Sequence, residues 1–188
     1  MKKFKYDLIK SDRRTISLQI KNGELIVRAP KRMKARDIDR FVAEHADWIS
    51  EHLELDLKRR EQLADITPLS EEECQALKRA AEEYFPERVA HYAERMGVDY
   101  KKISYRFQKS RWGSCSASGN LSFNCLLMLT TPQIIDAIIV HELAHRKEMN
   151  HSKRFYSEVL RVYPDYYVHH GELQRVSSEI MKRNPNSK

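Results

Sequence analysis

Hydrophobic and polar positions along this 188-residue chain change period several times. Thr15-Ile16-Ser17-Leu18-Gln19-Ile20 alternates, as a half-buried strand does. Asn22-Gly23 follows, a pair that tolerates the positive φ angles of a tight hairpin, and Glu24 to Ala29 resumes as a strand. Tyr6 to Ile9 reads as another strand. After Pro30 the period lengthens. Ile38, Phe41, Val42, Ala46 and Ile49 form an apolar stripe, predicting a helix from about Ala35 to beyond His52 with Trp48 in the core. Thr67-Pro68-Leu69 breaks the chain. Ser70 followed by Glu71-Glu72-Glu73 is a helix start, with acidic residues facing the positive end of the dipole. That helix is expected to reach Met96 and stop at Gly97, with Pro86 kinking or interrupting it. Lys102 to Phe107 alternates again, and Leu121 to Asn124 reads as a further strand. The glycine-bearing stretch Arg111 to Ser116 is expected as a loop between them. Pro132 to Val140 is apolar enough for a buried helix, with Thr131 as N-cap and Pro132 in the first helical position. Two closing helices are expected over Ser152 to Val162 and about Val168 to Lys182. The pattern is α+β.

Composition narrows the class. The apolar fraction is ordinary for a globular domain and no apolar run approaches a bilayer span. The basic start Met1-Lys2-Lys3-Phe4-Lys5-Tyr6-Asp7 lacks the apolar core of a signal peptide. Cys74, Cys115 and Cys125 show no framework spacing, which implies free thiols and a cytoplasmic location. Charge is unevenly placed. Residues 1–36 carry 12 Lys/Arg against 3 Asp/Glu, a net of +9 where the whole chain has +7. Residues 51–88 carry 6 Lys/Arg against 11 Asp/Glu. A second basic group comprises Lys101, Lys102, Arg106, Lys109 and Arg111. Two readings stand: a solvated basic face, or contact with a polyanion such as nucleic acid or a nucleotide.

The candidate chemistry lies in His141-Glu142-Leu143-Ala144-His145, with His151 six residues further on. On a helix His141 and His145 are one turn apart, about 6 Å along the axis and roughly 40° around it. Both imidazoles then leave one face, a separation that a tetrahedral Zn²⁺ accepts. Glu142 sits where its carboxylate reaches a metal-held water without ligating the metal. A helix that stops near Met149-Asn150 can turn and return His151 as third ligand. Three histidines leave one coordination position open, the mark of a catalytic rather than a structural zinc site. No Cys-x-x-Cys pair offers a zinc-ribbon alternative.

The ordered series Arg111-Trp112-Gly113-Ser114-Cys115-Ser116, Gly119 to Asn124, Pro132, Val140 to His145, Asn150-His151-Ser152 and Pro164-Asp165-Tyr166 resembles the YgjP-like metallopeptidases. These are zincins related to SprT-like and Wss1-like proteases. The resemblance covers nearly the whole chain. It implies a minimal zincin core, with a small β-sheet packed on the histidine-bearing helix, preceded by a β-hairpin-rich N-terminal lobe and helices. The expected division is an N-terminal lobe over 1–66, a catalytic region over 67–183 and a disordered tail over 184–188. The resemblance also implies one zinc on His141, His145 and His151, Glu142 as general base, and a peptide or protein substrate. Metzincins place Gly three residues after the second histidine, whereas this chain has Glu148 there, and no Met-turn is evident.

Several roles stay open at the level of sequence. The oxyanion of a cleaved amide needs a donor besides the metal. Tyr156, Tyr166, His169, His170 and Arg111 are the candidates, and spacing does not choose among them. Arg111, Tyr156 and Tyr166 are carried forward as substrate-binding candidates. The Arg111–Cys115 stretch is either a tight turn with Gly113 at positive φ, or the cleft rim with Arg111 gripping an anionic group. The Leu121–Asn124 strand is expected to take an extended peptide by edge pairing. The same metal site suits hydrolysis of a nucleoside triphosphate. A DNA-binding module with structural zinc, or a DNA-associated SprT-like protease, completes the alternatives.

Overall fold

A computed structural model describes residues 4–186. The first three residues of the basic start and the last two of the expected tail lie outside them. The chain divides into two compact units, one up to Asp65 and one from Ile66 onward.

The first unit contains strands β1 (Tyr6–Ser11), β2 (Ser17–Lys21) and β3 (Glu24–Pro30) and helices α1 (Ala35–Glu44) and α2 (Ala46–Ala64). Asn22 and Gly23 turn the β2–β3 hairpin at φ 55° and 80°, as the sequence predicts. Helix α2 holds that tip: Gly23 N–H donates to Asp56 at 2.7 Å and Arg60 donates to the Asn22 carbonyl at 3.1 Å. β1 pairs parallel to β3, giving the order β1-β3-β2. Leu25, Val27 and Ala29 alternate into a core with Ile38, Val42 and Ile49. The single helix expected from Ala35 is two, because His45 leaves helical geometry at φ −106°, ψ 20°. Trp48 is 36% exposed and stacks on His52, not on the core as expected.

The second unit begins with α3 (Glu71–Met96). Its ends match their sequence signals. Ser70 and Glu73 form a reciprocal capping box, and Gly97 closes the helix at φ 65°. Pro86 lies inside α3 without ending it. Phe85 and Val89 flank it, fully buried, so packing offsets the missing N–H. Strands β4 (Lys102–Arg106), β5 (Gly113–Cys115) and β6 (Asn120–Asn124) form a sheet in the order β4-β6-β5. A 3₁₀ turn over Cys125–Leu129 leads to α4 (Pro132–Ala144), and α5 (Lys153–Val162) and α6 (Tyr166–Lys182) follow.

Helix α4 is the centre of this unit. Ile134, Ile135, Ala137 to Val140, Leu143 and Ala144 are all buried. Its β-branched residues are only moderate helix formers. Thr131, which accepts from Ile134 N–H, and Pro132 at the start fix its first turn, and burial on all sides fixes the rest. Asp136 is buried on it and is paired with Arg88 of α3. α4 ends at Ala144, several residues before the stop expected near Met149-Asn150. The tail expected to be disordered is tied down at least to Asn186. Asn184 is 1% exposed and donates to the Gln108 carbonyl, and Asn186 donates to that of Phe107. Among the described residues no helix is long and apolar enough to cross a membrane.

Candidate metal centre

His141 projects from the last turn of α4, and His145 caps that helix. The chain then turns, and His151 arrives one residue before Ser152, the N-cap of α5. Ligand nitrogens of these three histidines all lie within 4.8 Å of one another. Nε2 of His141 and Nε2 of His151 face each other at 3.0 Å. One residue supports all three rings. Phe155 is fully buried, and its ring centroid lies 4.9 Å from that of His141, 4.7 Å from His145 and 4.8 Å from His151. Phe155 carries no sequence signal beyond its place on the buried stripe of α5.

Hydrogen bonds behind two of the rings orient them, and one of these fixes a tautomer. His145 Nδ1 meets the Glu148 carbonyl at 3.2 Å. A carbonyl only accepts, so Nδ1 carries the proton and Nε2 presents a lone pair. His141 Nδ1 lies 2.8 Å from the Tyr166 hydroxyl, which orients Nε2 of that ring toward His151. Burial, reinforced by the neighbouring histidines, pushes the His141 pKa down to about 3. Burial also lowers that of His145. Both rings are thus neutral at physiological pH, the form that ligates a metal. Three convergent imidazoles, two of them held from behind by hydrogen bonds, are a donor set suited to a metal ion.

Glu142 is 6% exposed. Burial pushes its pKa up to about 8, opposed by Arg111. Its carboxylate lies against Gly113 of β5, where a Cβ would sit 2.6 Å from Oε1 and 2.7 Å from Cγ. Gly113 is not among the positive-φ residues and lies in a strand, so the tight turn, one of the two readings of this stretch, does not form there, and the glycine is needed for close approach. Cys115 is near the same group, and its thiol pKa is raised by burial and by Glu142.

The remaining candidates are dispersed. Tyr166 is 1% exposed with its hydroxyl on His141, so it backs that ring. Tyr156 is half-buried, its ring 6.3 Å from that of His151. His169 Nδ1 bonds the Tyr163 hydroxyl, which itself donates to the Gln133 carbonyl. His170 stacks on Tyr166, its ring 6.5 Å from His141. Arg111 is exposed beside β5. β6 is the central strand, with β4 on one side and β5 on the other. Both of its edges are therefore occupied, and the peptide pairing expected for Leu121–Asn124 has no place there. The outer strand next to Glu142 is β5.

Two crystal structures of archaeal metallopeptidase zymogens are similar to part of the chain. Abylysin of Pyrococcus abyssi has 22% identity and a TM-score of 0.43, over 49% of this chain and 91% of that one. Jannalysin of Methanocaldococcus jannaschii has 21% identity and a TM-score of 0.42, over 49% and 93%. No curated protein matches the chain. The family model for the YgjP-like metallopeptidase domain matches residues 14–74 and 67–176. Those segments take in both units, the convergent histidines and Glu142, and the chain belongs to the YgjP-like metallopeptidase family.

Proposed function

We propose that this metallopeptidase is zinc-dependent, with the ion on His141, His145 and His151 and with Glu142 as its general base. The observation that carries this reading is the convergence of three histidine nitrogens, with a buried carboxylate on the residue that follows the first of them in α4. When bound, zinc supplies a Lewis acid that acidifies water toward neutral pH, polarises the scissile carbonyl and draws Glu142 back to its carboxylate form. Glu142 Oε takes a proton from the attacking water and returns it to the leaving amine. Its burial and its contact with Gly113 hold the carboxylate in one place while the proton moves. The substrate lies extended along β5, pairing with the backbone of Gly113–Cys115. This places the peptide plane beside Glu142, since Gly113 is a member of the strand and also the contact of the carboxylate.

The test uses zinc-loaded protein and a mixture of unstructured peptides read by mass spectrometry. Cleavage is expected. Glu142→Gln is expected to keep one zinc per chain and to lose turnover by at least about 10²-fold. Release of phosphate or pyrophosphate from nucleoside triphosphates without peptide cleavage would overturn the peptide reading.

A further inference from the structure

The face of the β4-β6-β5 sheet opposite the core forms a second feature. Register determines which residues lie there. Leu121 and Phe123 of β6 are buried, and Ile103 and Tyr105 of β4 stand beside them. The intervening residues therefore point the other way. Ser104, Ser122 and Ser114 form one row across the three strands. A groove of about 740 Å³ runs over this row. Arg106, Gln108 and Arg111 are among its walls, and no acidic or aromatic side chain lines it. Arg106 forms no ion pair among the described residues.

The wall is built rather than loose. Asn124 is fully buried, and its side-chain amide donates to the carbonyls of Gln108 and Arg111, both at 2.9 Å. Asn184 donates to the same Gln108 carbonyl at 2.7 Å. Gln108 in turn donates to Ser122 at 3.0 Å. The stretch that carries Arg111 is thus fixed before any ligand arrives, which lowers the ordering cost of binding. Small hydroxyls on the floor and two guanidinium groups on the wall, of which Arg106 has no ion pair among the described residues and Arg111 feels Glu142, suit carboxylates, which arginine binds through two parallel hydrogen bonds.

We infer that this groove binds acidic side chains of the substrate, so that the enzyme selects peptides carrying Asp or Glu next to the segment that pairs with β5. This rests on the peptidase reading above. Ser114 belongs both to β5 and to the groove. A chain paired with β5 alternates its side chains between two faces. Those on the Gly113 face point toward Glu142, and those on the Ser114 face point into the groove. The lack of aromatic side chains removes the stacking platforms that single-stranded nucleic acid uses.

Binding is measured by fluorescence anisotropy on zinc-loaded Glu142→Gln protein, so that the probe survives. The probes are a labelled Glu-rich peptide, its Gln-substituted counterpart and a single-stranded DNA of matched charge. The acidic peptide is expected to bind about tenfold tighter than the neutral one, with the preference falling as salt rises. Arg106→Gln with Arg111→Gln is expected to abolish the preference. Both side chains are exposed, and circular dichroism confirms that the variant is folded. Arg106→Glu alone is expected to remove most of the preference for the acidic peptide, since one cation and one anion then face the groove. Equal binding of acidic and neutral peptides overturns the inference. So does a DNA preference that vanishes in the double variant while the acidic peptide shows none. If the acidic peptide binds as expected but zinc-loaded wild type does not cleave it, the groove stands and the peptidase reading falls.

Discussion

Glu142 and Gly113 define the site at the scale of single residues. The glycine is required by its neighbour and not by its own backbone, since any Cβ would overlap the carboxylate and Cγ of Glu142. Gly113→Ala should therefore move Glu142 rather than unfold the chain. We expect about a 10²-fold loss of kcat in zinc-loaded protein, with zinc content and circular dichroism unchanged. Wild-type turnover in that variant would show that Glu142 needs no such contact. Tyr166 is a second case. Its hydroxyl fixes His141 from behind, and such outer partners typically contribute 10- to 100-fold in metal affinity. Tyr166→Phe should weaken zinc binding by about 10-fold in competition with a chelator. An unchanged affinity would mean that packing alone orients His141. The histidine cluster itself was legible in the sequence, because His141 and His145 stand one helical turn apart and His151 follows after a short turn. Gly113, Phe155 and Tyr166 as supports were not, because each acts on a residue far away in the chain.

At the scale of elements, local signals and long-range contacts divide the work. Ser70 with Glu73, Gly97, Thr131 with Pro132 and the Asn22-Gly23 turn all lie where their backbone chemistry predicts. These devices act within four residues, so the sequence displays them. Helix ends without such a device were misplaced: α1 and α2 separate at His45, and α4 stops at Ala144. The three-residue strand β5 has no periodicity to detect and exists because β6 pairs with it. The bond between α3 and α4 is the Arg88–Asp136 pair, with Asp136 buried and Arg88 one-third exposed. Arg88→Met leaves a buried carboxylate without its cation, with the Tyr92 hydroxyl as its remaining partner. It should cost roughly 3 kcal/mol in denaturant unfolding. A loss below about 0.5 kcal/mol would show that solvent reaches Asp136 and replaces its partner.

For the whole molecule, the buried site makes stability depend on pH. Burial raises Glu142 from its ordinary 4.5 to about 8 in the folded chain. The metal-free folded protein then keeps a proton that the unfolded chain releases. While the depressed His141 acts in the opposite sense below about 6.5, the contribution of Glu142 is full below about 4.5 and declines as pH rises toward about 8. Glu142→Gln removes this slope. The melting temperature of metal-free variant minus wild type should widen steadily across that window and reflect a few kcal/mol at its upper end. Parallel melting curves would place Glu142 in contact with water. The sequence by itself determined the α+β class, the capped helices and the hairpin. It also singled out the three histidines that the fold brings together and the glutamate next to the first of them, since all of these are written in short spacings. Only the tertiary structure decided that β6 is central and β5 is an edge, and that Gly113 makes room for Glu142. It alone gathered Ser104, Ser114 and Ser122 beneath two arginines. Those facts depend on strand order and register, which arise from burial across the whole chain and leave no local trace.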